Sequence, residues 1–271
     1  FKKRGKYITM MPSRTGPFHI VSFGRIFEGI QSKNHMLAID AYEKLKHQLP
    51  TDRQVRLTII GHVPTGQRSF AHTLRARVAE VDGINVIENA SPVELQFALM
   101  QAHVVWSLTG LASTSEKTHS LHPADAEHFG LALLECMDIG VIPLAANRGG
   151  PTQIMEGLPS YLLVSSVAEL VRVTHQIMQT SDKVFSNLQN TSKQIAQRIS
   201  KSFDENIPSL FTLFGRRMSP SNMDLWIRVH SRIKTLDKHA KSLPTTQRDR
   251  SRCGSKSKAK YAIVYVEGRV D

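Results

Sequence analysis

EHFGLALLECMDIGVIPLAANRGGP, residues 127–151, is the stretch on which the fold turns. Leu131 to Met137 is an apolar run with a helical pattern, and VIPLAA (141–146) is a short apolar run of the kind that forms a buried strand. GGPTQIM (149–155) then opens a further helix on a glycine pair with proline near its start. One carboxylate, Glu127, stands at the mouth of the first helix, and a second, Glu135, lies two turns further on. A bland explanation exists for both: Glu127 complements the helix dipole and Glu135 is a partly buried acid.

Outward from this stretch the alternation repeats. PFHIVSFGR (17–25) reads as a buried strand ending at Gly24, where the backbone can turn tightly. A helix follows over 32–49, with Ser32 as candidate cap and Met36, Leu37, Ile39, Ala41 and Leu45 at helical spacing. VRLTIIGH (55–62) is a strand, RSFAHTLRARVAEV (68–81) a helix and INVIEN (84–89) a strand. Ser91, Pro92 and Glu94 form a capping box that starts the helix PVELQFALMQA. The strand HVVWSL (103–108) leads into a long polar loop from Thr109 to Ala126, with YLLV (161–164) and VAELVRVTHQIMQ (167–179) as a last strand and helix. Strands alternating with helices imply an α/β fold, a doubly wound parallel sheet with helices on both faces. Ligands of such sheets bind beyond the carboxyl ends of the strands. The turns at Gly24, Gly61, 108–127 and 147–151 are therefore expected to line the site.

The 271 residues are enough for a sizeable core, and no run of about 18 uncharged apolar residues marks a membrane span. Two cysteines, Cys136 and Cys253, suggest neither a disulfide framework nor a metal site, and the implied location is cytoplasmic or cytosol-facing. Of the net charge of +12, residues 228–260 contribute +9 and residues 1–6 another +4, which leaves −1 for everything between. The body is neutral and no nucleic-acid partner is expected. The tail's RDRSR and KSKAK read as solvated linker, with RNA or anionic lipid as the alternative contact. SNMDLWIRVHSRIK (221–234) reads as an amphipathic helix, and YAIVYVEGRVD (261–271) as the first strand of a truncated further domain. The first residue is Phe rather than Met, which points to a fragment.

Three constellations lie on the expected ligand edge. Arg25 and Lys33 bracket the first strand-to-helix turn, as a fork and a point charge suited to a diphosphate or as plain surface cations. The backbone at Phe129, Gly130 and Leu131 offers helix-mouth N–H groups to a phosphate. Across eight residues of helix, a rise of about 12 Å would let Glu127 and Glu135 contact the two ends of a sugar nucleotide. Gly149 and Gly150 in NRGGP allow close approach to a sugar ring, or are an ordinary turn. His35, His119 and His122 read as surface histidines and Trp106 as core.

The order GR…K (25, 33), TGL…EHFGLALLE (109–135) and GVIPLAANRGGP (140–151) resembles the carboxy-terminal, donor-binding domain of the retaining glycosyltransferases of family 4, one Rossmann-like half of a GT-B fold. The likeness covers about residues 16–205, where SKSFDEN (200–206) resembles the usual closing stretch. The EHFG segment is also similar to that of eukaryotic α-1,2-mannosyltransferases of lipid-linked oligosaccharide assembly. The resemblance implies transfer of a hexose from a nucleoside-diphosphate sugar with retention. It makes Glu127 the acid facing the sugar, Arg25 and Lys33 the diphosphate cations, and Glu135 the ribose contact. Phe129, Gly130, Leu131, Gly149 and Gly150 complete the donor site, and no metal or other cofactor is implied. The acceptor stays undefined, and the family's amino-terminal acceptor-binding domain is not found before residue 16. A catalytically silent nucleotide-sugar-binding or scaffold module is the alternative. The expected organisation is a linker over 1–15, the domain over 16–205, terminal helices over 206–234, a disordered basic linker over 235–260 and the strand at 261–271.

Overall fold

The computed structural model describes Arg14 and residues 16–214, with 203–214 as backbone alone. The amphipathic helix at 221–234, the basic linker at 235–260, the strand at 261–271 and Cys253 lie outside the described residues. Residues Ile8–Lys201 form one compact unit. Within it the strands are β1 (Phe18–Phe23), β2 (Val55–Gly61), β3 (Ile84–Glu88), β4 (Val104–Ser107), β5 (Ile142–Ala146) and β6 (Leu163–Val164). The helices are α1 (His35–Gln48), α2 (Arg68–Ala79), α3 (Pro92–Met100), α4 (Ser115–Ser120), α5 (Leu131–Asp138), α6 (Gly150–Ile154) and α7 (Val167–Gln179). A further helix, α8, runs Asp182–Phe214 and continues through residue 205 without a break.

All six strands pair in parallel, in the order β3-β2-β1-β4-β5-β6. The doubly wound α/β sheet expected from the sequence is therefore present. Strands covered on both faces need apolar residues at successive positions, not alternate ones. β5 is buried at every residue, and β1 at all but Phe23. On one face α1 packs beside α7, burying Ala38, Ile39, Tyr42 and Leu45 from the first and Leu170, Val173 and Ile177 from the second. The indole of Trp106, inside that core, donates to Thr174 Oγ1 at 3.1 Å, so its one polar atom is satisfied where water cannot reach it.

Local signals succeed where the chain satisfies itself. At α3 the capping box is complete: Ser91 Oγ accepts from Glu94 N–H at 3.2 Å and the Glu94 carboxylate accepts from Ser91 N–H at 2.8 Å. At α1 the expected cap is wrong. Asn34, in the left-handed region at φ 54, occupies the cap position, while Ser32 Oγ donates to Phe27 O and accepts from Asn34 N–H, closing the preceding loop on itself. The polar stretch 109–126 is also more ordered than expected. Thr114 caps α4 by accepting from Lys117 N–H, and a 3-10 turn spans Pro123–Asp125 with His122 Nδ1 accepting from Ala124 N–H. YLLV divides into a 3-10 turn at Ser160–Leu162 and the two-residue edge strand β6.

Among the buried imidazoles are those of His19 and His35. His19 Nε2 lies 2.8 Å from Thr58 Oγ1 and its backbone N–H donates to His103 Nδ1, while His35 Nδ1 lies 3.3 Å from Ser22 Oγ. His35 is buried, correcting its reading as a surface residue. Burial pushes both down from 6.5 to about 4, with the Arg56 charge helping at His19. The unfolded chain therefore protonates first as pH falls, so stability fully present above pH 7 is lost between about 6.5 and 4. Urea unfolding at pH 8 and pH 5 should differ by about 2 kcal/mol per imidazole, by the linkage between pKa shift and stability. His35→Asn should remove about half of that difference. A pH-independent midpoint over this range would show that the two rings are not held neutral by the fold.

Candidate functional site

The strand order reverses between β1 and β4, and there the loops after the two strands part to leave a crevice beyond their carboxyl ends. A concavity sits in that place, lined among others by Phe23, Lys33, Ser107, Leu108, Glu127 and Gly130. Lys33 reaches it because the chain turns at Gly24, φ 134, where a Cβ would stand 2.8 Å from Lys33 Cγ. The lysine stem thus crosses the end of β1 through space that only glycine leaves open.

Lys33 Nζ meets Glu127 Oε2 at 2.5 Å, with both side chains about one-fifth exposed. The second oxygen of Glu127 accepts from Gly130 N–H at 3.4 Å. Burial pushes the Glu127 carboxyl up, but the Lys33 hydrogen bond and charge, with the backbone N–H groups of Gly130 and Phe129, outweigh it and hold the carboxyl below the ordinary glutamate range. Glu127 therefore stays ionised at neutral pH. It complements the mouth of α5 and pairs with Lys33 at once.

α5 begins at Leu131, after Gly130 in the left-handed region at φ 76. Glu127 is outside the helix, so the eight residues to Glu135 are not eight residues of helical rise, and the 12 Å estimate does not apply. Glu135 is exposed on α5, which removes its reading as a partly buried acid. Phe129 and Leu131, 74% and 57% exposed, leave an apolar rim on either side of the buried Gly130. Arg25 is exposed in the loop that also carries Lys33, and its guanidinium lies 4.9 Å over the Phe27 ring. His119 and His122 are exposed, as read, and Trp106 is core.

The glycine pair has a partner the sequence does not announce. Gly150 N–H donates to Glu127 O at 2.7 Å, and a Cβ on Gly150 would stand 2.5 Å from His128 O. A Cβ on Gly149, φ 69, would stand 2.3 Å from Glu127 O. The close approach made here is that of the backbone 127–129. Two further side chains tie the loops at this edge together. Asn34 Nδ2 donates to Leu108 O at 2.7 Å and Leu111 O at 2.9 Å, and Arg148 donates to Thr118 O at 2.6 Å and Leu121 O at 3.0 Å. Their partners are far away in sequence, so no local spacing betrays them. Among the described residues no group of three or more His, Cys, Asp or Glu side chains is placed to hold a metal ion.

Comparison with known proteins points in one direction. Residues 10–193 match the model of the family described as glycosyl transferases group 1. Curated relatives named GDP-Man:Man(3)GlcNAc(2)-PP-Dol alpha-1,2-mannosyltransferase are 27% identical over 176 residues in Dictyostelium discoideum and 28% over 197 residues in Xenopus tropicalis, covering 63% and 69% of this chain. The chain spans about a third of their length, 32% and 36%. Among solved structures, the carboxy-terminal domain of a glycosyl transferase group 1 family protein (LpcC) from Francisella tularensis superposes with TM-score 0.51 at 18% identity, over 69% of this chain and 87% of that one. The Anabaena HepE protein, solved with UDP and glucose, gives TM-score 0.51 at 16% identity over 72% of this chain and 49% of its own. At these identities the structural likeness is one of fold.

Because Gly150 meets main-chain atoms rather than a flexible side chain, Gly150→Ala must displace residues 127–129. We expect a loss of about 1–3 kcal/mol by chemical unfolding, the usual range for overpacking. Gly16→Ala, where a Cβ would meet nothing within 4 Å, should stay within about 0.5 kcal/mol of the parent. Equal effects would contradict the packing of the glycine pair on the Glu127 segment.

Proposed function

The chain belongs to the glycosyl transferases group 1 family, and from that premise we propose that it supplies the donor-binding half of a retaining hexosyltransferase of family 4, with the sugar nucleotide in the crevice between β1 and β4. The observation that carries the reading is the Lys33–Glu127 pair at the mouth of α5. It sets a cation suited to a diphosphate and an ionised carboxylate suited to sugar hydroxyls side by side at the one place where an open parallel sheet receives ligands.

In this reading the diphosphate lies against Lys33, Arg25 and the backbone at Phe129, Gly130 and Leu131. Glu127 faces the sugar, with Gly149 beside it, and Glu135 faces the ribose. Gly150 holds the Glu127 backbone from behind. As the bond from the anomeric carbon to the phosphate oxygen breaks, its electron pair goes to the diphosphate and positive charge grows on the sugar. Cations and oriented N–H groups fixed before the reaction stabilise that separation without having to reorganise. The acceptor hydroxyl then bonds the anomeric carbon on the face the diphosphate leaves, its O–H bond breaking as the proton passes to the departing phosphate oxygen, which is retention. No step is assigned to a metal or cofactor. The curated relatives are named for GDP-Man, and we carry guanine and mannose over as the proposed base and sugar. Acceptor recognition is assigned to a second Rossmann-like domain. A cytosol-facing place is part of the proposal; among the described residues no helix is long and apolar enough to cross a membrane.

The test is thermal unfolding of the chain with GDP, UDP and ADP beside their nucleosides. Free ligand at about 100 times its Kd should add about 2.7 kcal/mol of stability. GDP is expected to give the largest shift. Lys33→Ala and Arg25→Ala should lose most of the diphosphate's advantage over guanosine, whereas Glu135→Ala should weaken GDP and guanosine alike without lowering the ligand-free midpoint. No stabilisation by any diphosphate would overturn the donor-site reading, and equal losses for nucleoside and diphosphate in Arg25→Ala would remove Arg25 from it.

A further inference from the structure

We propose that Arg148 is the positioning residue of this site, the group that sets the β4–α5 connection and thereby the register of Glu127 against Lys33. The inference rests on the donor-site reading for what Glu127 and Lys33 hold, but its geometry is independent of that reading. The connection leaves β4 at Ser107 and reaches α5 at Leu131, far longer than the usual turn between a strand and a helix. Glu127 stands near its far end. A segment of that length keeps a carboxylate within hydrogen-bonding distance of a lysine on another loop only if something fixes it along the way.

Arg148 does so from outside the segment. It follows β5, and Asn147 N–H donates to Val164 O at 2.8 Å just before it, so its own backbone is tied to the sheet. Its stem lies beside Gly110, where a Cβ would stand 3.2 Å from Arg148 Cδ. Its guanidinium donates through Nη1 to Thr118 O at 2.6 Å and through Nη2 to Leu121 O at 3.0 Å and His122 O at 3.5 Å. Thr118 O, in the last turn of α4, also accepts from Leu121 N–H at 3.4 Å, while the carbonyls of Leu121 and His122 lie just beyond the helix end, where no further turn supplies donors. The fork thus holds the end of α4 from the loop after β5, at the middle of the connection. Two residues on, Gly150 N–H grips the other end through Glu127 O. Residues 148–150 therefore brace the segment at two points, and the span between them includes Glu127. Thr118 adds a tie of its own, its Oγ1 accepting from Ala112 N–H at 2.8 Å.

A guanidinium suits this role and an ammonium does not, because only the planar fork presents separated donors to carbonyls in fixed directions. With Nη1 and Nη2 turned to the main chain, the side chain acts on the site through Glu127.

The experiment uses the 271-residue chain with 13C-labelled glutamate, following the titration of the Glu127 carboxyl by NMR and GDP affinity by calorimetry. Lys33→Ala serves as the reference for a broken pair. Arg148→Ala should move the Glu127 titration upward in the direction set by Lys33→Ala, and should weaken GDP about tenfold, the loss typical of removing a supporting group. Arg148→Lys should recover the thermal midpoint but only part of the Glu127 titration. An unmoved titration in folded Arg148→Ala would overturn the inference. If that variant does not fold, Arg148→Lys decides: unchanged titration with unchanged amide exchange over residues 112–127 overturns it as well. The two readings separate cleanly. A wild-type chain that binds none of GDP, UDP and ADP but shows the Arg148 effect on Glu127 sinks the donor site and keeps the positioning role. GDP binding that needs Lys33 and ignores Arg148 does the reverse.

Discussion

Parallel strands cannot be joined by a tight turn; each must be followed by a crossover that carries the chain back over a face of the sheet. That constraint organises the sheet and the helices packed on it. It puts the strand-to-helix loops at one edge, and with the winding changing direction once, between β1 and β4, helices cover both faces and the central strands β1, β4 and β5 are buried. The loop after β1 brings Lys33, and the connection after β4 brings Glu127. These residues, 94 apart in sequence, meet because the two strands that launch their loops are neighbours.

The meeting has a definite electrostatic character. Burial works against the Glu127 charge, but the hydrogen bond and charge of Lys33, with smaller help from the N–H groups ahead of α5, keep the carboxylate ionised. The crevice is therefore neutral as a pair but strongly polar in detail. Its rim is not: Phe129 and Leu131 present apolar surface beside the charges. Apolar walls around a few fixed polar groups are the usual composition of a small-molecule site.

Where the sequence was readable, the physics was local or periodic. The capping box at Ser91 and Glu94, the apolar strands and the glycine turn before Lys33 each depend on residues within a few positions, and the structure has them. Ser32 does not cap α1, because its side chain has a nearer partner in Phe27 O, leaving Asn34 to begin the helix in a conformation asparagine tolerates. The stretch 109–126 looked like loop because its helix is only six residues long and held from elsewhere. His35 reads as a surface residue because polar residues, Ser32, Lys33 and Asn34, precede it, whereas its place beside Ser22 of β1 puts it in the interior.

Read by itself, the sequence determined the class of fold, the order of the six strands and of the helices between them apart from α4, and which loops gather at one edge, since hydrophobic periodicity and turn chemistry are written over short windows. The long α8 and the short α4 it did not announce. Only the tertiary structure decided that Lys33 and Glu127 touch, that the glycines at 149 and 150 receive the backbone of residues 127–129, and that Arg148 closes the end of α4. Those are contacts between segments brought together by the winding of the sheet, and their directions follow from three-dimensional packing that no spacing along the chain encodes.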